Sequence, residues 1–394
     1  MNKEINIVSL EHKNKSLSPV DKYGKDNAEK VINFHKSFPE YEETPLVILK
    51  NLANKLGVSN IYIKDESYRF GLNAFKVLGG GYAIGRYIAD KLNKDISELP
   101  YDKMVSKEVK DVLGDITFVT ATDGNHGRGI AWTANRLKQK SVVYMPKGSA
   151  QERLDNIKSL GSDASITDLS YDDAVRLANE SQNKYGWVLV QDTAFEGYTN
   201  IPGWIMEGYT TMAHEAAKQL NGEKPTHIFL QAGVGAMAGA VTAYFADLYK
   251  EEKPIIIIVE PNKAACIYKT AKANDGKLHF VTDDMDSMMA GLCCGEPCSI
   301  AWDILKDYAY HFVSIPDYVS AKGMRTLAWP IGNDQKVVSG ESGAATLGLV
   351  VEIMENKDLL EIKNKLQLDK NSKILCFSTE GDTDRKNYNR IVNS

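Results

Sequence analysis

The sequence predicts an α/β protein made of two doubly wound domains, with a site in the cleft between them. Short runs rich in Val, Ile, Phe and Tyr alternate with helical patterns of ten or more residues along most of the chain. That alternation implies right-handed crossovers and mainly parallel sheets. The 394 residues hold too many strand–helix units for one compact sheet. Several strands also run into glycine-rich turns ahead of helices, an arrangement that presents backbone N–H groups to an anion. The expected division is a large domain from residues 1–94 and 196–394, with a small α/β domain at 95–195 inserted into it.

Taken in order, residues 1–40 are polar and irregular and read as an arm rather than core. PLVILKNLANKL (45–56) reads as a helix, NIYIKDES (60–67) as a strand and KVLGGGYAIGRYIADKL (76–92) as a helix. A charged surface segment covers 95–114. ITFVTAT, SVVYMP and DASITD (116–168) then read as strands alternating with the helices GRGIAWTANRLKQ and QERLDNIKSLG. The helix YDDAVRLANESQNKYG leads to the strand WVLVQDTA (187–194), the long helix WIMEGYTTMAHEAAKQL and the strand THIFLQAG. AMAGAVTAYFADLY is a helix, PIIIIVEP a strand, SGAATLGLVVEIMEN a helix and KILCFSTEG the last strand.

Bulk properties narrow the function. A content of 43% hydrophobic and 25% charged residues is that of an ordinary soluble protein. A net charge of −5 without a Lys/Arg block argues against a nucleic-acid surface. The longest apolar run, IIIIV, is too short to cross a bilayer. The N-terminal stretch has no signal-peptide h-region. The five cysteines form neither a disulfide framework nor a zinc pattern, so reduced thiols, a cytoplasmic setting and no metal are expected.

Four stretches carry chemistry. The first, HIFLQAGVGAMAGA, turns through Gly233, Val234, Gly235, Ala236 and Met237 into a helix, and the next strand ends in Glu260. Alone this fits a phosphate cradle or a dinucleotide fingerprint with Glu260 on the ribose. The second, TATDGNHGRG, places Thr122, Asp123, Gly124, Asn125 and His126 between strand and helix, where the amides can hold a carboxylate. His126 is expected to pack or cap the helix start rather than act as a base. The third is Ser378 in FSTEGD, a short hydroxyl or a helix cap. The fourth is Lys76, which opens an apolar segment containing Gly79, Gly80, Gly81 and Gly85. A partly desolvated lysine forms a Schiff base with an aldehyde, and the glycines are expected to let the backbone approach a flat aromatic ring.

TPL (44–46), IYIKDES (61–67), NAFK (73–76), TDGNHG (122–127), GVGAM (233–237) and STEGD (378–382) stand in the order found in fold-type II pyridoxal 5′-phosphate (PLP) enzymes, which this chain resembles after residue 40. Within that family it is most similar to the diaminopropionate ammonia-lyases, through the aspartate before GNHGRG, QDTAFEGYTNIPGWIMEGYTTM, QAGVGAMAGA and MAGLCCGEP. The resemblance implies that Lys76 holds PLP covalently, Asn125 bonds its phenolic oxygen and residues 233–237 cradle its phosphate. Ser378 would face the pyridine nitrogen, where a neutral hydroxyl suits elimination better than transamination.

Most relatives have Ser or Thr in place of Asp123. An acid there repels an ordinary amino-acid carboxylate unless the substrate carries a second ammonium, and it can act as acid/base on the face opposite Lys76. Asp192 is a candidate second contact for that ammonium, or a cap. The expected reaction is elimination of D- and L-2,3-diaminopropionate to pyruvate and two ammonia by a homodimer. Alternatives are a serine or threonine dehydratase, or an NAD-dependent oxidoreductase using Glu260.

Overall fold

The computed structural model describes residues 4–11, 17–122 and 124–394. Its strands, in chain order, are β1 (Asn6–Ser9), β2 (Leu46–Ile48), β3 (Asn60–Asp65), β4 (Thr117–Ala121), β5 (Lys140–Met145), β6 (Asp163–Ile166), β7 (Val188–Leu189), β8 (His227–Gln231), β9 (Ile255–Pro261), β10 (His311–Ile315) and β11 (Lys373–Ser378). They form a seven-stranded sheet ordered β1-β10-β9-β8-β11-β3-β2 and a four-stranded sheet ordered β6-β5-β4-β7. The small sheet is parallel throughout. The large one is parallel except at its edges, where β1 and β2 run antiparallel to β10 and β3.

The large sheet is covered on both faces, and its residues alternate between two cores. Ile256 and Ile258 of β9 join the core that holds Ile228, Leu230, Leu375 and Phe377. Ile257 and Val259 join the opposite core with Phe229, Ile374 and Cys376. A strand buried on both sides needs no polar face, which is why IIIIV is continuously apolar.

Three expectations about the elements are corrected. The N-terminal segment is not merely an arm: β1 pairs with β10, and the helix Lys25–Lys36 buries Ala28, Val31, Ile32, Phe34 and His35. The His35 ring bonds Thr211 Oγ1 at 2.8 Å and the Leu78 carbonyl at 3.0 Å. Its buried positions are separated by Asn and Lys, which masked the apolar stripe. Residues 45–56 are a strand followed by the helix Lys50–Leu56, because Leu46–Ile48 find an edge on β3. The strand read at 187–194 ends at Leu189, and the following residues leave the sheet.

The loop that delivers Lys76 is anchored by a buried ionic cluster. Glu215 contacts both Lys64 Nζ and Arg69 Nη2 at 2.7 Å, and Arg69 also contacts Glu66 at 2.8 Å, all with fully buried side chains. Thr44 adds a hydroxyl bond to Glu66 at 2.7 Å. Beyond this cluster the backbone passes through left-handed conformations at Phe70, Gly71 and Asn73. It is then tied to the end of β11, where Phe75 N–H donates to the Thr379 carbonyl and Gly381 N–H to that of Asn73.

The glycines after Lys76 serve helix packing. A Cβ on Gly79 would lie 2.6 Å from Tyr209, on Gly80 2.6 Å from Ile130, and on Gly85 2.5 Å from Phe34. Helices Asn200–Gln219, Asn125–Arg136 and Lys25–Lys36 thus press directly on the helix Val77–Lys91. The cavity described below is lined by none of these glycines, so the expectation that they admit a flat ring is corrected.

Candidate active site

A cavity with an empty volume of about 520 Å³ opens between the two sheets. Phe75 and Lys76 form one wall and Asn125 and Asp192 another. The glycine turn from Gly233 to Met237 forms a third, and Thr379 and Glu380 close the end. Lys76 sits immediately before the helix Val77–Lys91, with its Nζ 2.6 Å from Asp192 Oδ2. The Asp192 side chain is 2% exposed and that of Lys76 16%. Burial alone would push the Asp192 carboxyl upward, but the Lys76 ammonium and His126 outweigh it and hold the group at about 2.

The Gly233–Met237 turn connects β8 to the helix Ala236–Tyr249. Gly235 adopts φ +95°, where L side chains are strained, and a Cβ there would lie 2.6 Å from Ile267 Cδ1. A Cβ on Gly233 would lie 3.0 Å from Cys294 Sγ and 3.3 Å from the Gly291 carbonyl. Glycine backbone at a helix N-terminus leaves N–H groups open to an anion.

Several buried polar atoms of the cavity wall have no hydrogen-bond partner among the described residues: Gln231 Oε1, Ser342 Oγ and the Tyr209 hydroxyl. The Gln231 amide nitrogen is already engaged, donating to Thr379 Oγ1 at 2.8 Å and the Phe377 carbonyl at 2.9 Å. Buried polar groups without partners are costly, so this wall suits a ligand with several polar atoms. PLP, with its phosphate, ring nitrogen and phenolic oxygen, is such a ligand.

The remaining expected site residues fall into three places. Asn125 lines the cavity, and its Nδ2 donates to Glu380 Oε2 at 2.6 Å. Because a carboxylate only accepts, this bond fixes which end of the amide is nitrogen. Thr122 and Gly124 form the base of the turn, where Thr122 Oγ1 accepts from Gly124 N–H at 2.9 Å and Gly127 N–H at 3.1 Å. His126 is buried, its Nε2 donating to the Val190 carbonyl at 2.8 Å. Asp123 lies outside the described residues. Ser378 is buried and its hydroxyl bonds Ser339 Oγ at 2.8 Å; it is not among the lining residues, whereas Thr379 and Ser342 are.

Glu260 has no place in the cavity. Its carboxylate is fully buried and accepts the Ile267 and Tyr268 backbone N–H groups at 2.9 and 2.6 Å, capping the helix Cys266–Ala273. Burial outweighs those bonds and pushes it up to about 8. A carboxyl engaged in this way cannot bind a ribose, which removes the support for a dinucleotide site.

Sequence reasoning assigned no role to Gln231, Tyr209, Ser342, Thr379 or Glu380. Four of the five stand inside motifs quoted for the resemblance. Ser342 had no comparable signal. Among the described residues, no group of three or more His, Cys, Asp or Glu is placed to hold a metal ion. No helix among them is long and apolar enough to cross a membrane.

Comparison with known proteins agrees with this geometry. Residues 38–376 match the family described as "Pyridoxal-phosphate dependent enzyme". The chain is 52% identical over 366 residues to diaminopropionate ammonia-lyase of Salmonella typhimurium strain LT2, covering 92% of this chain and 91% of that one. The holo crystal structure of the Escherichia coli diaminopropionate ammonia lyase superposes with a TM-score of 0.92 at 47% identity, covering 99% of this chain and 96% of that one. The same E. coli enzyme in complex with an aminoacrylate-PLP azomethine reaction intermediate gives 0.90 at 46% identity, covering 99% and 97%. A lysine held on a buried carboxylate, a glycine turn at a helix N-terminus beside it and a family match over residues 38–376 lead to one conclusion: the chain belongs to the pyridoxal-phosphate-dependent enzyme family.

Proposed function

We propose that the chain eliminates ammonia from D- and L-2,3-diaminopropionate, giving pyruvate and two ammonia. The observation that carries this reading is the Lys76–Asp192 pair inside a cavity that the Gly233–Met237 turn also lines. Bound PLP supplies an aldehyde for covalent attachment and an electron-withdrawing ring that acidifies the substrate Cα–H. Lys76 Nζ is the attachment point and, once displaced, the base on its own face of the substrate. The backbone of residues 233–237 holds the phosphate, and Asn125, oriented by Glu380, presents an N–H to the phenolic oxygen. Ser342 and Thr379 offer the neutral hydroxyls for the ring nitrogen in place of Ser378.

Asp192, buried and 2.6 Å from Lys76 Nζ, is placed to attract the second ammonium of the substrate. The turn at Thr122–His126 takes the substrate carboxylate. Asp123 acts as acid/base on the face opposite Lys76, which is what processing of both stereoisomers requires. A hydroxy-amino acid has no second ammonium to offset these acids, which disfavours a serine or threonine dehydratase. The domain division at 1–94, 95–195 and 196–394 is supported by the separation of the two sheets along the chain. A cytoplasmic location fits five free thiols, and homodimeric assembly is carried over from the family resemblance.

The test is to compare pyruvate and ammonium release from both diaminopropionate isomers, serine and threonine. The reading requires kcat/KM for each diaminopropionate isomer to exceed those of the hydroxy-amino acids. Faster turnover of serine or threonine would replace it with a dehydratase.

A further inference from the structure

A second compartment, with an empty volume of about 650 Å³, adjoins the catalytic cavity on the small-sheet side. Asp192 lines the first space and Thr193 the second. They are also linked through Tyr171, whose hydroxyl accepts from Gln191 Nε2 at 2.9 Å and lies 3.5 Å from Asp192 Oδ1. The helix Tyr171–Tyr185 supplies Tyr171, Asp172 and Asn179, and Phe195 completes the aromatic part of the wall.

The polar groups of this compartment select for a cation. Arg176 at its rim is already paired with Asp173 at 2.8 Å and Glu296 at 2.7 Å. Asp172, in contrast, forms no hydrogen bond or ion pair with any described residue, although it is partly buried. Burial, with Glu296 nearby, pushes its carboxyl up to about 6. A first-turn acid on a helix is ordinarily stabilised as the anion; here the Arg176 guanidinium offsets burial and Glu296 only in part. Thr193 is 9% exposed, and its Oγ1 is buried with no partner among the described residues.

Glu296, the other carboxylate in the lining, is paired with Arg176, and no group of three or more His, Cys, Asp or Glu among the described residues is placed to hold a metal ion. An ammonium needs only a counter-charge, an oxygen acceptor and aromatic surface, all of which the compartment holds. We propose that this compartment binds a small primary ammonium, with Asp172 as counter-charge, Thr193 Oγ1 as acceptor, and the Tyr171 and Phe195 rings in its wall. That chemistry has two sources: ammonium released by the reaction, and the side-chain ammonium of incoming substrate. Naming these sources rests on the lyase reading; the existence of the site does not.

The experiment titrates PLP-loaded protein with methylammonium chloride by calorimetry, using choline chloride at equal ionic strength as the control. Saturable binding is expected for methylammonium and not for choline, about tenfold weaker in Asp172→Asn, the scale of one charge-assisted hydrogen bond. Thr193→Val should weaken it by a smaller factor. Steady-state kinetics then separate the sources. Ammonium inhibition relieved in Asp172→Asn identifies released product; a raised KM for diaminopropionate with unchanged ammonium inhibition identifies incoming substrate. Absence of saturable methylammonium binding, or equal binding by Asp172→Asn, would overturn the proposal whether or not the enzyme proves to be a lyase.

Discussion

Asp192→Asn removes the buried carboxylate that holds the Lys76 amine at 2.6 Å. The ordinary value for an aspartate is 3.8, and here the group lies at about 2 because Lys76 and His126 outweigh the cost of burial. The difference corresponds to about 2.5 kcal/mol of preference for the charged form. A carboxyl whose folded value is depressed contributes stability above its unfolded value of about 4 and loses it as pH falls through about 2. At pH 7 the contribution is therefore fully present. The Asn variant should lower the unfolding free energy of the cofactor-free protein by about 2–3 kcal/mol. An exposed ion pair would give less than about 1 kcal/mol, so the size of the loss reports on burial. Urea unfolding followed by tryptophan fluorescence measures it at pH 7, and repetition below pH 4 should show the gap closing. A difference within about 0.5 kcal/mol at pH 7 would refute the reasoning.

Other substitutions probe separate parts of the structure. Gly235→Val should weaken PLP affinity in a titration of cofactor-free protein, since its backbone is held at φ +95° and Ile267 lies 2.6 Å from the new Cβ; unchanged affinity would move the phosphate elsewhere. Glu215→Ala leaves buried Lys64 and Arg69 without their shared partner. It should cost about 3–5 kcal/mol in urea unfolding, the usual scale for breaking a buried ion cluster. Glu341 is pushed from 4.5 up to about 7 by burial and by Glu380. It thus favours folding below pH 4.5 and loses that contribution as pH rises through 7. Glu341→Gln should remove this fall in stability, worth about 3 kcal/mol by pH 8, while leaving stability at pH 4 unchanged.

The sequence made the architecture legible where local and global signals agreed. The strand at 255–261 and the helix at 236–249 were readable because both are apolar over most of their length and bounded by turns. The helix Lys25–Lys36 was not, because its buried stripe is interrupted by charged residues and justified only by partners far along the chain. The antiparallel edge strands were hidden for a similar reason: three or four residues become a strand only when a neighbour offers an edge.

For the site, Lys76 and the Gly233–Met237 turn carried enough local chemistry to be recognised. Glu260 shows the limit of a motif, since the same acid that would bind a ribose here caps a helix. The glycines beside Lys76 were noticed correctly as needing an explanation, but the explanation lies in three helices distant in sequence. Gln231, Ser342 and Glu380 act through bonds made in three dimensions, which spacing does not encode.

The central claim is that Lys76 carries PLP in the cavity it shares with Asp192 and the glycine turn. Borohydride reduction of the PLP-loaded protein, followed by proteolysis and mass spectrometry of the peptides, tests it directly. The account predicts a pyridoxyl-phosphate adduct on the peptide containing Lys76, and none at that position in Lys76→Ala. A stoichiometric adduct on a different lysine of the wild-type protein would contradict it.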